Sequence, residues 1–282
     1  MIIKINGADF SQNNLGKVVV TTELDPFTKA AIAASGNNSL TLQQKVMLNE
    51  LFLKMGVDGS NNVMSKIHRL YLPIIAGDVS HALINYKDSS FVNDMVLDSS
   101  HWTLRSNGLV GIAPGQDINH VESNPIMQDN FFELFLRTEL VTYGVGDTSY
   151  AMVLRGKTNT NAFLGLNQQS VSNDTTCALS SYGAEWGSWD KRTDAIKTSG
   201  VNSASTYNDV LKRGVYSHED TPKTTNVDMS GETSQDLYVL GLNSTNTTKP
   251  YGVLMLGEAL DSQDFLNIAN AVDNLYSSFV NA

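Results

Sequence analysis

The residues best equipped to hold or act on a ligand are Trp186 and Trp189, flanked by Glu185 and Asp190. Indole rings three positions apart can lie on one side of a turn or helical bend, whereas a strand sends them to opposite faces. Set side by side and partly exposed, they would form a platform for the apolar face of a sugar. The two acids would then take its hydroxyls, or hydrolyse a glycosidic bond. Burying a Trp removes on the order of 200 Å² from water, so the same four residues also read as a loop's small core with solvated acids. Burial is the favoured reading, glycan binding the alternative, and hydrolysis comes last.

Other chemistries find less material. A retaining glycosidase needs two carboxyl groups roughly 5 Å apart, which acids on one strand face can supply. The tight Glu-x-Asp-x-x-Glu strand that would do so is absent, and Glu185 with Asp190 is the best substitute. Asp117, Asn119, His120 and Glu122 lie close together in GQDINHVE and carry oxygens suited to a hard cation. Without EF-hand spacing they read as a polar surface turn, so no metal is expected. His68, on the polar edge of an expected helix, and His81, His101 and His218 are dispersed, with no His-x-x-x-His pair. There is no glycine-rich phosphate loop after a strand and no nucleophile elbow. No cofactor and no catalytic residue is assigned.

The totals narrow the classes further. With 282 residues the chain can bury a sizeable core. Charged residues are only 17% of it, against the usual quarter, and Asn, Ser, Thr and Gly fill the gap, as in β proteins with many turns. A net charge of −10 opposes binding to phosphate backbones or anionic lipid, so nucleic acid is not an expected partner. The single Cys177 excludes an internal disulfide framework and reads as a small buried hydrophobe. No run approaches the roughly 18 apolar residues of a bilayer span, and the start lacks the pattern of a signal peptide. Membrane insertion is not expected, and the chain is expected to be made in a cytoplasm.

The chain is expected to be organised around VMSKIHRLYLPIIAGDVSHALINYKD (63–88), a hinge between a helical lead and a β region. Residues 63–71 show helical spacing, with Pro73 stopping the helix, and 82–86 reads as a strand. Before the hinge, 2–16 is a short strand, an Asn-Gly turn and a polar loop, and 17–22 (KVVVTT) a second strand. Two such strands alone are marginal in water, so they are expected to add to another chain. Asp25-Pro26 opens a helix with Phe27, Ala30, Ala31 and Ala34 on one side, ended at Gly36. Thr41 and Gln44 form a capping box for a second helix with the stripe Val46, Met47, Leu48, Leu51, Phe52 and Met55, stopped at Gly56. Ser60 or Asn61 caps the third.

After the hinge the period falls to two. Strands are expected at 82–86, 102–105, 109–112, 131–137, 150–155, 162–166, 210–216, 237–242 and 252–256. Turn-rich links suit an antiparallel sandwich. Residues 183–205 are the longest stretch without an assignment, which marks either a functional loop or unread strands. Asp261 caps a closing helix whose stripe is Phe265, Ile268, Ala269, Val272, Leu275, Tyr276 and Phe279.

Several of these segments carry a resemblance. IHRLYLPIIAG (67–77), HALINYKD (81–88), FFELFLRT (131–138), LYVLGLN (237–243) and YGVLMLGEALDSQDFLNIANAVDNLYSSF (251–279) follow one another in order. Together they resemble the concanavalin A-like (LamG-type) jelly-roll domains in virion proteins of tailed phages and prophages of Bacteroides-type bacteria. IIKINGADFSQNNLGKV (2–18) resembles an N-terminal module of structural and fibre proteins of such phages. The likeness runs from about Leu24 to the end, on the order and spacing of apolar motifs, and 183–205 departs from it.

The resemblance implies a mainly β chain: an antiparallel jelly-roll sandwich with a short strand and helical lead and a C-terminal amphipathic helix. Residues 1–22 would be a strand anchor, 23–76 a helical lead, and 77–282 the jelly roll with its closing helix. The implied function is a phage virion structural protein, a fibre or appendage subunit displayed on the particle exterior, and not an enzyme. It would be a homo-oligomer joined to other virion proteins through its N-terminal segment. Its lectin-like domain would face host or mucosal glycans, with Trp186, Trp189, Glu185 and Asp190 as the glycan contacts. The alternative is a surface polysaccharide depolymerase, since jelly rolls of this type include glucanases. A plain lectin acting outside any particle has no need of an unpaired anchor.

Overall fold

A computed structural model describes residues 23–112, 250–258 and 260–280, together with the backbone of the strands at 3–5, 8–10 and between 118 and 239 named below. The chain is mainly β and its strand pairs are antiparallel. Its central strand lies near the C-terminal end. Tyr251–Glu258, β15 in chain order, is YGVLMLGE with every residue buried except Glu258. An unbroken apolar run of this kind suits a strand covered on both faces.

The neighbours of β15 show why it is covered. Along one edge it pairs with β7 (Phe132–Thr138), which continues through β11 (Gly200–Ser205) and β12 (Val210–Gly214) to β13 (Thr221–Pro222). Along the other edge it meets β5 (Gly108–Gly111) at Tyr251 and β3 (Ile67–Tyr71) over Leu254–Gly257. Beyond β5 lies β4 (Trp102–Arg105), and these eight strands make the larger sheet. A five-stranded sheet has the order β10 (Cys177–Ser180), β9 (Phe163–Asn167), β8 (Tyr150–Gly156), β14 (Gln235–Val239) and β6 (Ile118–Glu122). The two sheets approach one another where β9 meets β7 and β11, and β10 meets β12.

Among the described residues there are four helices: α1 (Pro26–Ala34), α2 (Leu42–Lys54), α3 (Val63–Lys66) and α4 (Ser262–Val280). The starts of α1, α2 and α4 follow the sequence closely, whereas α3 has Asn62, not Ser60 or Asn61, at its N-cap. Asp25 caps α1, its Oδ1 accepting the Phe27 N–H at 2.8 Å, with Pro26 at the first position. Thr41 and Gln44 complete the capping box at 3.2 and 2.8 Å. Gly56, at φ +84°, ends the second helix where a side chain would be strained. Asp261 accepts the Asp264 N–H at 2.8 Å to open α4.

One core joins the lead to the closing elements. Leu48, Leu51, Phe52 and Met55 of α2 pack with Leu70 of β3, Val253 and Met255 of β15, and Ile268, Val272, Leu275 and Tyr276 of α4. Each such buried side chain contributes about 1.5–3 kcal/mol over its exposed state. Residues on both sides of position 76 therefore share one interior. The buried face of α1 is Thr28 and Ala31, while Ala30 is exposed, a correction to the expected stripe.

The hinge departs most from the sequence reading. The helix expected over 63–71 ends at Lys66, and Ile67–Tyr71 is strand β3. Spacing of Val63, Ile67 and Leu70 fits a helix, but the free edge of β15 offers a ladder that a helix would leave unpaired. Pro73 opens a 3-10 turn, Pro73–Ile75, instead of ending an α-helix. The strand expected at 82–86 is a 3-10 turn at Val79–His81 followed by two isolated bridges, Ile84↔Asn93 and Tyr71↔Asn85. The organising element is thus β15, and 63–88 is laid onto its edge.

Three polar stretches prove to be strands. The segment 8–10, expected as loop, is β2 (Ala8–Phe10) and pairs antiparallel with β1 (Ile3–Ile5). The expected surface turn at 119–122 lies in β6, and the unassigned 183–205 ends in β11. The strand expected at 17–22 lies outside the described residues.

Candidate functional site

Trp186, Trp189, Glu185 and Asp190 lie outside the described residues, between β10 and β11. Asp117 also lies outside them, while Asn119, His120 and Glu122 fall within the backbone of β6. The remaining tryptophan, Trp102, is 1% exposed, so it cannot serve as a sugar platform. Among the described residues there is no group of three or more His, Cys, Asp or Glu placed to hold a metal ion.

A polar cluster sits along β3, built by the element that the sequence reading took for helix. Tyr71 donates its hydroxyl to Asp94 Oδ2 at 2.7 Å, and Arg69 Nε forms an ion pair with the same oxygen at 3.1 Å. The Arg69 and Asp94 side chains are only 17% and 8% exposed. Asn85 adds a second tie: its Oδ1 accepts the Leu70 and Lys87 N–H groups, and its Nδ2 donates to the His68 carbonyl at 3.3 Å. Asp94 therefore acts as a fastener between the 83–94 segment and β3. With two donors on one oxygen it is poorly placed to serve as a general base.

Within that segment Phe91, at φ +45°, turns its ring toward Phe27 and Tyr86, with centroids 5.3 and 5.8 Å away. A bulky residue in the left-handed region is held there by its surroundings. Here those surroundings are the aromatic group formed with Phe52, whose ring lies 4.9 Å from Phe27.

A second cluster brings a serine, a histidine and an aspartate together. His81 Nδ1 lies 2.8 Å from Asp78 Oδ1, and Ser80 Oγ lies 2.6 Å from that oxygen and 3.3 Å from the same ring nitrogen. A nucleophilic triad needs serine and acid on opposite nitrogens of the imidazole. Here both crowd one nitrogen, so the group is a turn, not a catalytic relay. The same Asp-x-Ser turn recurs at Asp58, Asp88 and Asp98. Each carboxylate takes the N–H two residues on, and its serine hydrogen bonds hold the carboxyl below the usual value of 3.8; at Asp98 the backbone bond is the larger cause. The repeated spacing of aspartate and serine was visible in the sequence and is the signal missed there.

His68 stands apart from these turns. Its pKa is lowered from 6.5 by burial, with Glu258 opposing and Lys87 and Arg69 adding to the shift. Its Nε2 is shut off from water and has no hydrogen-bond partner among the described residues. The Tyr86 hydroxyl is likewise buried without a partner, and burial raises its pKa well above 10.

No protein-family model matches the chain, and no curated protein matches it. Among solved structures it is similar to domain 4 of a GH43 extracellular arabinanase from Geobacillus stearothermophilus, in complex with arabinotriose. The identity is 14%, the match covers 72% of this chain and 98% of that one, and the TM-score is 0.45. Similarity at this level places the chain in no family. Among the described residues, no helix is long and apolar enough to cross a membrane.

Proposed function

We propose that the chain is a non-enzymatic structural protein of a phage particle, a fibre or appendage subunit. Its N-terminal segment joins it to other virion proteins or to copies of itself, and its β region, a concanavalin A-like jelly roll, faces outward. The observation that carries the attachment role is the β1–β2 hairpin. Among the described residues it forms a two-stranded sheet of its own, hydrogen-bonded to neither large sheet. Its register sets Ile3 opposite Phe10 and Ile5 opposite Ala8, with Lys4 opposite Asp9. Alternation along the strands thus sorts four apolar positions to one face and the charged pair to the other. A two-stranded hairpin with one apolar face gains its stability by covering that face.

The particle context rests on the likeness of 2–18 and of the 67–279 motifs to phage virion proteins. Glycan contact, at Trp186, Trp189, Glu185 and Asp190, is the outward function of the reading. Gold-labelled antibody raised against the chain, applied to particles released by the bacterium that encodes it, tests the placement. Labelled fibres or appendages are expected; particles that carry none of the chain overturn the proposal.

A further inference from the structure

The junction of β3 with β15 contains one irregularity, and it falls on the histidine. Leu256 pairs with Arg69 and Gly257 with Ile67, so two steps along β3 match one step along β15. His68 is the extra residue of a β-bulge, a device that re-aims a side chain and interrupts pairing locally. The bulge leaves its ring half-buried, with Nε2 closed to water and without an acceptor among the described residues. A neutral imidazole tolerates such a site at modest cost. An imidazolium does not, because both ring nitrogens must then donate.

We infer that the β3–β15 junction is an acid-operated latch: neutral His68 keeps it closed, and protonation of His68 opens it. The groups that surround the ring set its sensitivity. Arg69 beside it on β3, itself paired with Asp94, and Lys87 on the segment after Tyr86 repel the cation, while Glu258 at the end of β15 attracts it. Nearby, Lys66 of α3 and Asp264 of α4 are occupied with each other at 3.3 Å, and on the far side of β15 the register sets Glu133 opposite Gly257. The folded pKa lies below the ordinary 6.5, so the unfolded or opened state binds the proton more tightly. The closed junction is therefore fully stabilised above pH 6.5 and weakens as pH falls from 6.5 to the lowered folded value. Opening β3 would loosen what the same strand holds: Asn85, Asp94 and the 83–94 segment.

Hydrogen exchange of the full-length protein at pH 7.5, 6.5 and 5.5 tests the latch, with intrinsic exchange corrected by an unstructured reference. Protection of peptides covering 67–71 and 251–258 should fall by up to about tenfold per pH unit within the window. His68→Gln should remove that pH dependence. Two variants, at half-buried Lys87 and exposed Glu258, give opposite signs without changing the ring itself. Lys87→Ala, by relieving repulsion, should narrow the window, and Glu258→Gln should widen it. Protection that is independent of pH in the native chain, or a loss that persists unchanged in all three variants, overturns the inference.

Discussion

Tyr71 and Arg69 place their polar groups on the same carboxylate oxygen of Asp94, at 2.7 and 3.1 Å. The two residues are on β3 and the acceptor lies more than twenty positions later, so this oxygen fixes how the 83–94 segment lies on the sheet. Removing it takes the carboxylate from a largely buried guanidinium, which keeps its hydrogen bond to the His68 carbonyl at 3.1 Å. Asp94→Ala should cost about 2–4 kcal/mol in urea unfolding, while Asp94→Asn, which still accepts from Tyr71, should cost less.

The shared core makes a claim about cooperativity. Phe52 lies on α2, yet the cluster it belongs to includes Val253, Met255 and Leu275. Phe52→Ala should cost about 3–5 kcal/mol and lower the midpoint of the β signal together with that of the helical signal. Circular dichroism followed at two wavelengths should give coincident transitions.

Gly108 combines two constraints. It sits at φ +130°, and a Cβ there would collide with the Tyr251 carbonyl, where β5 meets the central strand. Gly108→Ala should destabilise by more than about 1 kcal/mol, with the shift in thermal midpoint as the readout. The capping box offers a milder comparison: Thr41→Ala should cost about 1 kcal/mol.

The glycan part of the account depends on four residues. A glycan array with the intact protein should give binding that a folded Trp186→Ala, Trp189→Ala double variant loses. Binding that survives the double change would place the lectin activity elsewhere on the chain.

What the sequence made legible is what neighbours in sequence decide. Asp25-Pro26, Thr41 with Gln44, and the Phe265–Tyr276 stripe each carry their own cap or face, and each stands where it was expected. The alternating runs at 131–137 and 150–155 mark β7 and β8 within a residue. Ile67–Tyr71 was not legible because its apolar spacing satisfies both periods, and the choice is made by Leu254–Gly257 at the other end of the chain. Gly200–Ser205, GVNSAS, has the composition of a loop and becomes a strand between β7 and β12 through pairing alone. The Asp94 fastener was hidden for the same reason: nothing near Asp94 names Tyr71 as its donor.

The attachment claim is the centre of the account, and the molar mass of the protein tests it most directly. Light scattering after size-exclusion chromatography should find the intact chain as an oligomer and the chain lacking residues 1–22 as a folded monomer with an unchanged β signal. A deletion that unfolds the β region, or one that leaves the oligomer intact, would contradict the claim that this segment is held by another chain.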